Sequence, residues 1–251
     1  MSIKIKQEWV GVVLRIAAHV VIMSVVENIC ANQTSNLVIQ VWRAISAILI
    51  LAAIFFGMVQ AKNFEQLGLV GKMPLPWKST LFLVPMFVIA TANLWHGIVI
   101  RYTLLETILN IVAMLCIGFT EEILFRGYLL RLLMKRSTRF AILISSLTFA
   151  LGHIVNLANG AELVPTLLQL VYALAIGLML SVFVVKTGHL LPCCLFHGVF
   201  NALAAFSNET GQTIGYQIAV CAIISLLSVG YAVYLWKQKL TKPITGITAK
   251  V

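Results

Sequence analysis

Inside an otherwise apolar run, the stretch "IGFTEEILFRGYLL" sets Glu121, Glu122 and Arg126 close together. A charge at bilayer depth costs about 2.5–3.5 kcal/mol on insertion scales, so each needs a partner or a task. Glu122 and Arg126 are four apart, share a helix face and can pair. Glu121 is rotated by about 100° from Glu122 and is left facing something else. A carboxylate desolvated in a bundle and close to one cation suits general-base work. Two further apolar segments carry polar residues at the same spacing of four. "FALGH" puts Phe149 and His153 on one helix face, and "HGVFN" does the same for His197 and Asn201.

A glutamate with a histidine can hold and deprotonate a water, while a second histidine and an asparagine amide can donate to a developing oxyanion. Those are the parts required to hydrolyse an amide without a covalent intermediate. Glu121, His153 and His197 also form a zinc-capable set. The H-E-x-x-H spacing of zinc proteases is absent, and so is a G-x-S-G serine-protease signature. A plainer reading makes each group a packing device, a buried ion pair or a hydrogen-bonded histidine. It suits Glu122 and Arg126 best and Glu121 least, because a third charge is not needed to neutralise a pair.

The elements that must position these residues follow from composition. The 251 residues are 61% hydrophobic and 10% charged, with mean hydropathy +0.99. A soluble domain is about a quarter charged, so the chain reads as all-α and polytopic in a membrane. Eight spans are predicted, roughly 9–30, 37–60, 79–99, 104–131, 140–158, 163–185, 189–206 and 213–236, within one membrane domain covering 1–251. This division leaves fourteen lysines and arginines at one set of ends and loops, against Arg101 alone at the other. The positive-inside rule then puts both termini in the cytoplasm. The net charge of +10 is spent on topology, not on nucleic acid. The chain has no aspartate, which removes aspartyl dyads and Asp-rich magnesium sites. Its five cysteines, with no C-x-x-C, are expected as buried apolar residues. The N-terminus reads as a retained first helix, since Arg15 and His19 interrupt its apolar run and no A-x-A-like cleavage site appears. Arg15, His19 and Glu27 are expected to pair among themselves or with other helices in structural roles, and Arg43 to snorkel or to pair with one of these glutamates. Trp42, Trp77, Trp95 and Trp236 are expected as interfacial anchors.

Taken in order, "EEILFR" (121–126), "FALGH" (149–153) and "HGVFN" (197–201) resemble the CPBP family, the CAAX-protease and bacteriocin-processing intramembrane proteins also called the Abi family. The resemblance covers 121 to about 205, so the catalytic core is expected within 104–206. It implies a glutamate-dependent intramembrane endopeptidase. By position, Glu121 and His153 would activate the water, and His197 and Asn201 would form the oxyanion hole. Glu122 and Arg126 would support them, and Phe149 would shape the pocket. The resemblance favours a metal-independent mechanism with no cofactor. Partners implied are membrane lipid and a peptide or prenylated protein, with no nucleic acid. The compact chain looks more like a bacterial member, in the cell membrane, processing a bacteriocin or pheromone precursor. A bacteriocin-immunity or sensor-partner protein is the alternative. A transporter is disfavoured because all three motifs fall after residue 120 and no internal repeat is visible.

Overall fold

Long apolar stretches become helices in lipid because a helix satisfies each of its backbone groups internally. The computed structural model describes residues 3–71 and 83–238. In chain order its helices are α1 (Ile3–Ala31), α2 (Asn36–Ala61), α3 (Val84–Ala90), α4 (Leu104–Glu122), a π-helical segment (Ile123–Leu129), α5 (Leu130–Met134), α6 (Thr138–Gly152), α7 (Val155–Ala158), α8 (Leu163–Thr187), α9 (Leu191–Leu203) and α10 (Ile214–Lys237). Among the described residues, six stretches are long and apolar enough to cross a bilayer: Gln7–Ala31, Asn36–Ala61, the composite Leu104–Met134, Thr138–Ala158, Leu163–Thr187 and Ile214–Lys237. The chain is an all-α, multi-pass membrane protein. Exposed Leu14, Leu49, Phe56, Phe87 and Leu226 form part of its lipid-facing surface.

Two of the eight expected spans take a shorter form. The start of 79–99 lies outside the described residues; the remainder is α3, a 3-10 turn at Ala92–Leu94 and extended chain. Segment 189–206 is the 13-residue α9, opened by Pro192 in its first turn and ending in a 3-10 turn at Ala204–Phe206. Even so, α9 joins the two ends of the bundle. At one end the Leu190 amide donates to the Gly68 carbonyl at 2.8 Å, and at the other Ser207 bridges Ile98. Such short segments are viable because α9 is flanked by α3 and α4 and does not have to face lipid alone.

The two ends differ in charge. Lys62, Arg131, Lys135, Arg136, Arg139, Lys186 and Lys237 gather at one, where Lys135 meets Glu8 at 2.5 Å and Lys186 donates to the Trp236 carbonyl. Among the described residues, Arg101 is the basic side chain at the other end, paired with Glu209 at 3.6 Å and donating to the Ser207 carbonyl. Arg43, inside α2, is held by Glu27 of α1 through two hydrogen bonds of 2.9 and 2.6 Å. That pairing meets the expectation for Arg43. Trp77 lies outside the described residues.

Candidate functional site

Helix α4 carries the two glutamates at its C-terminal end, and there the regular winding stops. The π-helical segment begins at Ile123 and contains Arg126. Its backbone leaves the Phe125 carbonyl accepting from the Leu130 amide, five residues on, and also from the buried Ser145 hydroxyl at 2.9 Å. Single-turn π segments recur at functional sites because they re-aim side chains without ending a helix. The spacing of four in the sequence does not reveal this departure.

Glu122 and Arg126 pair as expected, with Nη1 to Oε1 at 2.7 Å and both side chains fully buried. The same Glu122 oxygen accepts from His197 Nδ1 at 2.9 Å. A carboxylate only accepts, so this bond places a hydrogen on Nδ1 and turns His197 Nε2 toward Glu121, 3.4 Å away. His197 therefore bridges the two glutamates. Glu121 also has His19 Nε2 at 3.4 Å. Its side chain keeps 17% exposure, against 0% for Glu122. The doublet is thus divided: one carboxylate is locked and dry, the other open to a cavity.

Phe149 is the hub that holds the rings. The Arg126 guanidinium lies over its face at 4.2 Å. Phe125, His153 and His197 meet it edge-on, with centroids at 5.4, 5.1 and 5.5 Å. The positive ring edges and the cation each find a favourable part of the aromatic quadrupole. His153 sits where α6 ends, its amide tightened onto the Ala150 carbonyl at 3.0 Å.

Two cavities meet at Phe149 and His153. One, of about 110 Å³, reaches Glu121 and His19 and continues along Ser24, Glu27, Asn156 and Asn159. The other, of about 190 Å³, is lined by His197 and Asn201 and extends to Asn93, Gln169 and Tyr172. Glu121, His153, His197 and Asn201, all singled out by the motifs, thus line two cavities that meet at Phe149 and His153, with Glu122 and Arg126 behind them. The sequence did not single out His19 as a site residue. Its only signal was a histidine at mid-span in α1, with no motif around it. Among the described residues, no group of three His, Cys, Asp or Glu side chains is arranged to hold a metal ion.

The close approach of α4 and α9 fixes the distance between the glutamates and His197. Gly118 packs directly on Gly198, so an added Cβ at Gly118 would lie 2.5 Å from the Gly198 nitrogen. Small residues allow such approach between membrane helices.

Residues 102–203 match the family model described as Type II CAAX prenyl endopeptidase Rce1-like. No match is found among curated proteins or among solved structures.

Proposed function

We propose that this multi-pass membrane protein, whose residues 102–203 match the Rce1-like CAAX prenyl endopeptidase model, is a peptidase that hydrolyses its substrate with a water activated by Glu121 and His153. The substrate is a membrane-associated peptide: a bacterial precursor such as a bacteriocin or pheromone, or a CAAX-type C-terminus. The single observation that carries this reading is the division of the glutamate doublet. Glu122 is fully buried and pinned through one oxygen by Arg126 and His197, while Glu121 faces a cavity shared with His153.

As the water oxygen bonds to the peptide carbonyl carbon, its proton passes to Glu121. That proton is then delivered to the amide nitrogen as the C–N bond breaks. His153 orients the water from the opposite wall. The carbonyl oxygen, gaining negative charge, lies toward the adjoining cavity that His197 and Asn201 line. Donors fixed in a dry site stabilise such charge strongly. Glu122 and Arg126 hold His197, and Phe149 carries Arg126 and both histidines. Neither a metal nor a cofactor is assigned a step. The membrane is proposed to be that of a bacterial cell, with both termini in the cytoplasm.

The test compares wild type with Glu121→Gln, each purified in detergent. The panel contains quenched precursor peptides and prenylated CAAX peptides. Cleavage by wild type alone is expected, and cleavage at an undiminished rate by Glu121→Gln would overturn the reading.

A further inference from the structure

The cavities around Glu121 are not centred on the bundle; they lead to one end. The 190 Å³ cavity shares Asn93, Tyr172 and Phe200 with a larger one of about 550 Å³. This vestibule lies between α8 and α10 and is rimmed by Glu162, Ser207, Glu209, Gln212 and Gln217. Those residues belong to the loops before α8 and α10 and to the first turns of these helices, the end of the bundle that carries Arg101. The smaller cavity beside Glu121 runs the same way, to Asn156 and Asn159 at the α7 end.

Toward the opposite, lysine-rich end the site is closed. Ile123, Leu124, Leu130, Phe183 and Leu190 are all completely buried there. Gly68, Gly188 and Arg131 pack together below them: the Leu190 amide bonds the Gly68 carbonyl, and Arg131 donates to the Gly188 carbonyl at 3.3 Å. The lysine-rich end is the cytoplasmic one by the positive-inside rule.

We propose that the vestibule opens on the extracytoplasmic face and that the peptide enters the site from there. This rests on the endopeptidase reading and narrows its substrate to a chain whose cleaved segment is presented at the outer leaflet. A protein tethered by its C-terminus to the cytoplasmic leaflet would meet the sealed side. Among the described residues the vestibule lining includes Glu209, paired with Arg101 beside it, and Glu162, and no lysine or arginine of its own. It therefore suits a neutral or cationic segment better than a free terminal carboxylate.

Single cysteines introduced at Gln217 in the vestibule and at exposed Arg139 on the lysine-rich end report sidedness without any need for catalysis. Intact expressing cells, stripped of any outer envelope, are treated with a membrane-impermeant maleimide, and labelling above the parent chain is scored before and after permeabilisation. Gln217→Cys is expected to label in intact cells and Arg139→Cys only after permeabilisation. The reverse pattern, or no labelling of Gln217→Cys under either condition, overturns the proposal. A bulky maleimide on Gln217→Cys is then expected to slow peptide hydrolysis at least tenfold relative to the same variant unlabelled. Hydrolysis unaffected by that label overturns the vestibule as the route, while leaving the endopeptidase reading intact. If wild type cleaves no peptide at all, the endopeptidase reading fails, and with it the substrate claim; the labelling pattern still decides which face the vestibule meets.

Discussion

Gly118→Ala tests whether the α4–α9 contact sets the catalytic distances. The new Cβ would lie 2.5 Å from the Gly198 nitrogen, 2.6 Å from its Cα and 2.9 Å from the His197 carbonyl carbon. All three are backbone atoms, so no side chain can swing aside. Ordinary contact begins at 3.4 Å, and relief therefore requires α9 to retreat by about 0.9 Å, the difference from 2.5 Å. His197 rides on that backbone. A retreat along its bond to Glu122 stretches 2.9 Å to about 3.8 Å, beyond the roughly 3.2 Å limit for an N–H···O bond. Misplacement by about 1 Å at a reacting centre costs on the order of a hundredfold in rate. Measured as kcat on a peptide that wild type cleaves, Gly118→Ala should fall by about that factor. Gly198→Ala meets a Leu115 methyl at 3.0 Å and the Leu115 Cα at 3.1 Å, a smaller overlap than the 2.5 Å at Gly118, and should lose less. Gly230→Ala meets nothing within 4 Å and should leave the rate unchanged. A Gly118→Ala enzyme as active as wild type, or equal losses in all three variants, would refute the link between helix spacing and chemistry.

Arg126→Ala should destabilise the fold by about 3–5 kcal/mol, read from thermal unfolding in detergent, because it strands the fully buried Glu122 charge. Pairing Glu122→Leu with Arg126→Met should recover most of that stability and none of the activity, since His197 loses the acceptor of its Nδ1 hydrogen. His19→Ala removes a 3.4 Å contact to Glu121. It should lower kcat by roughly tenfold with little change in KM, given about 1.5 kcal/mol for a hydrogen bond to a charged group; an effect on KM alone would assign His19 to binding. Prolonged dialysis against a chelator should leave the rate of wild type unchanged. Loss restored specifically by zinc would transfer the mechanism to a metal held by Glu121, His153 and His197.

The polar residues were legible because lipid makes them conspicuous. Glu121, Glu122 and Arg126 stood out as three charges in an apolar run, and the structure pairs the two that share a face. The all-α, multi-pass architecture followed from the same contrast. Less visible was what depends on contacts between distant segments. Segment 189–206 reads as one more span, but the packing that lets α9 be short lies in α3 and α4. The π-helical turn after Glu122 comes with a hydrogen bond from Ser145, twenty residues away, to the Phe125 carbonyl. His19 was invisible as a site residue because its partner, Glu121, is 102 positions away in sequence.

The two adjacent glutamates show how one sequence feature acquires two physical roles. Neighbouring positions on a helix point about 100° apart, so they meet different surroundings. Glu122 turns toward α9 and the guanidinium, where one oxygen takes two donors and water is excluded. Glu121 turns toward α1 and the cavity, where two histidines stand at the longer distance of 3.4 Å and some solvent access remains. A locked carboxylate is a poor proton acceptor but a good anchor. A loosely held one beside water can take a proton and return it. If that division is what the enzyme uses, the two substitutions Glu121→Gln and Glu122→Gln should separate. The first should abolish turnover while leaving the unfolding midpoint near wild type. The second keeps a carbonyl acceptor for His197 but leaves Arg126 without its counter-charge, so it should lower the midpoint and reduce turnover only in part. Equal effects of the two on both readouts would mean that the doublet acts as one buried charge cluster, and the assignment of the base to Glu121 would fall.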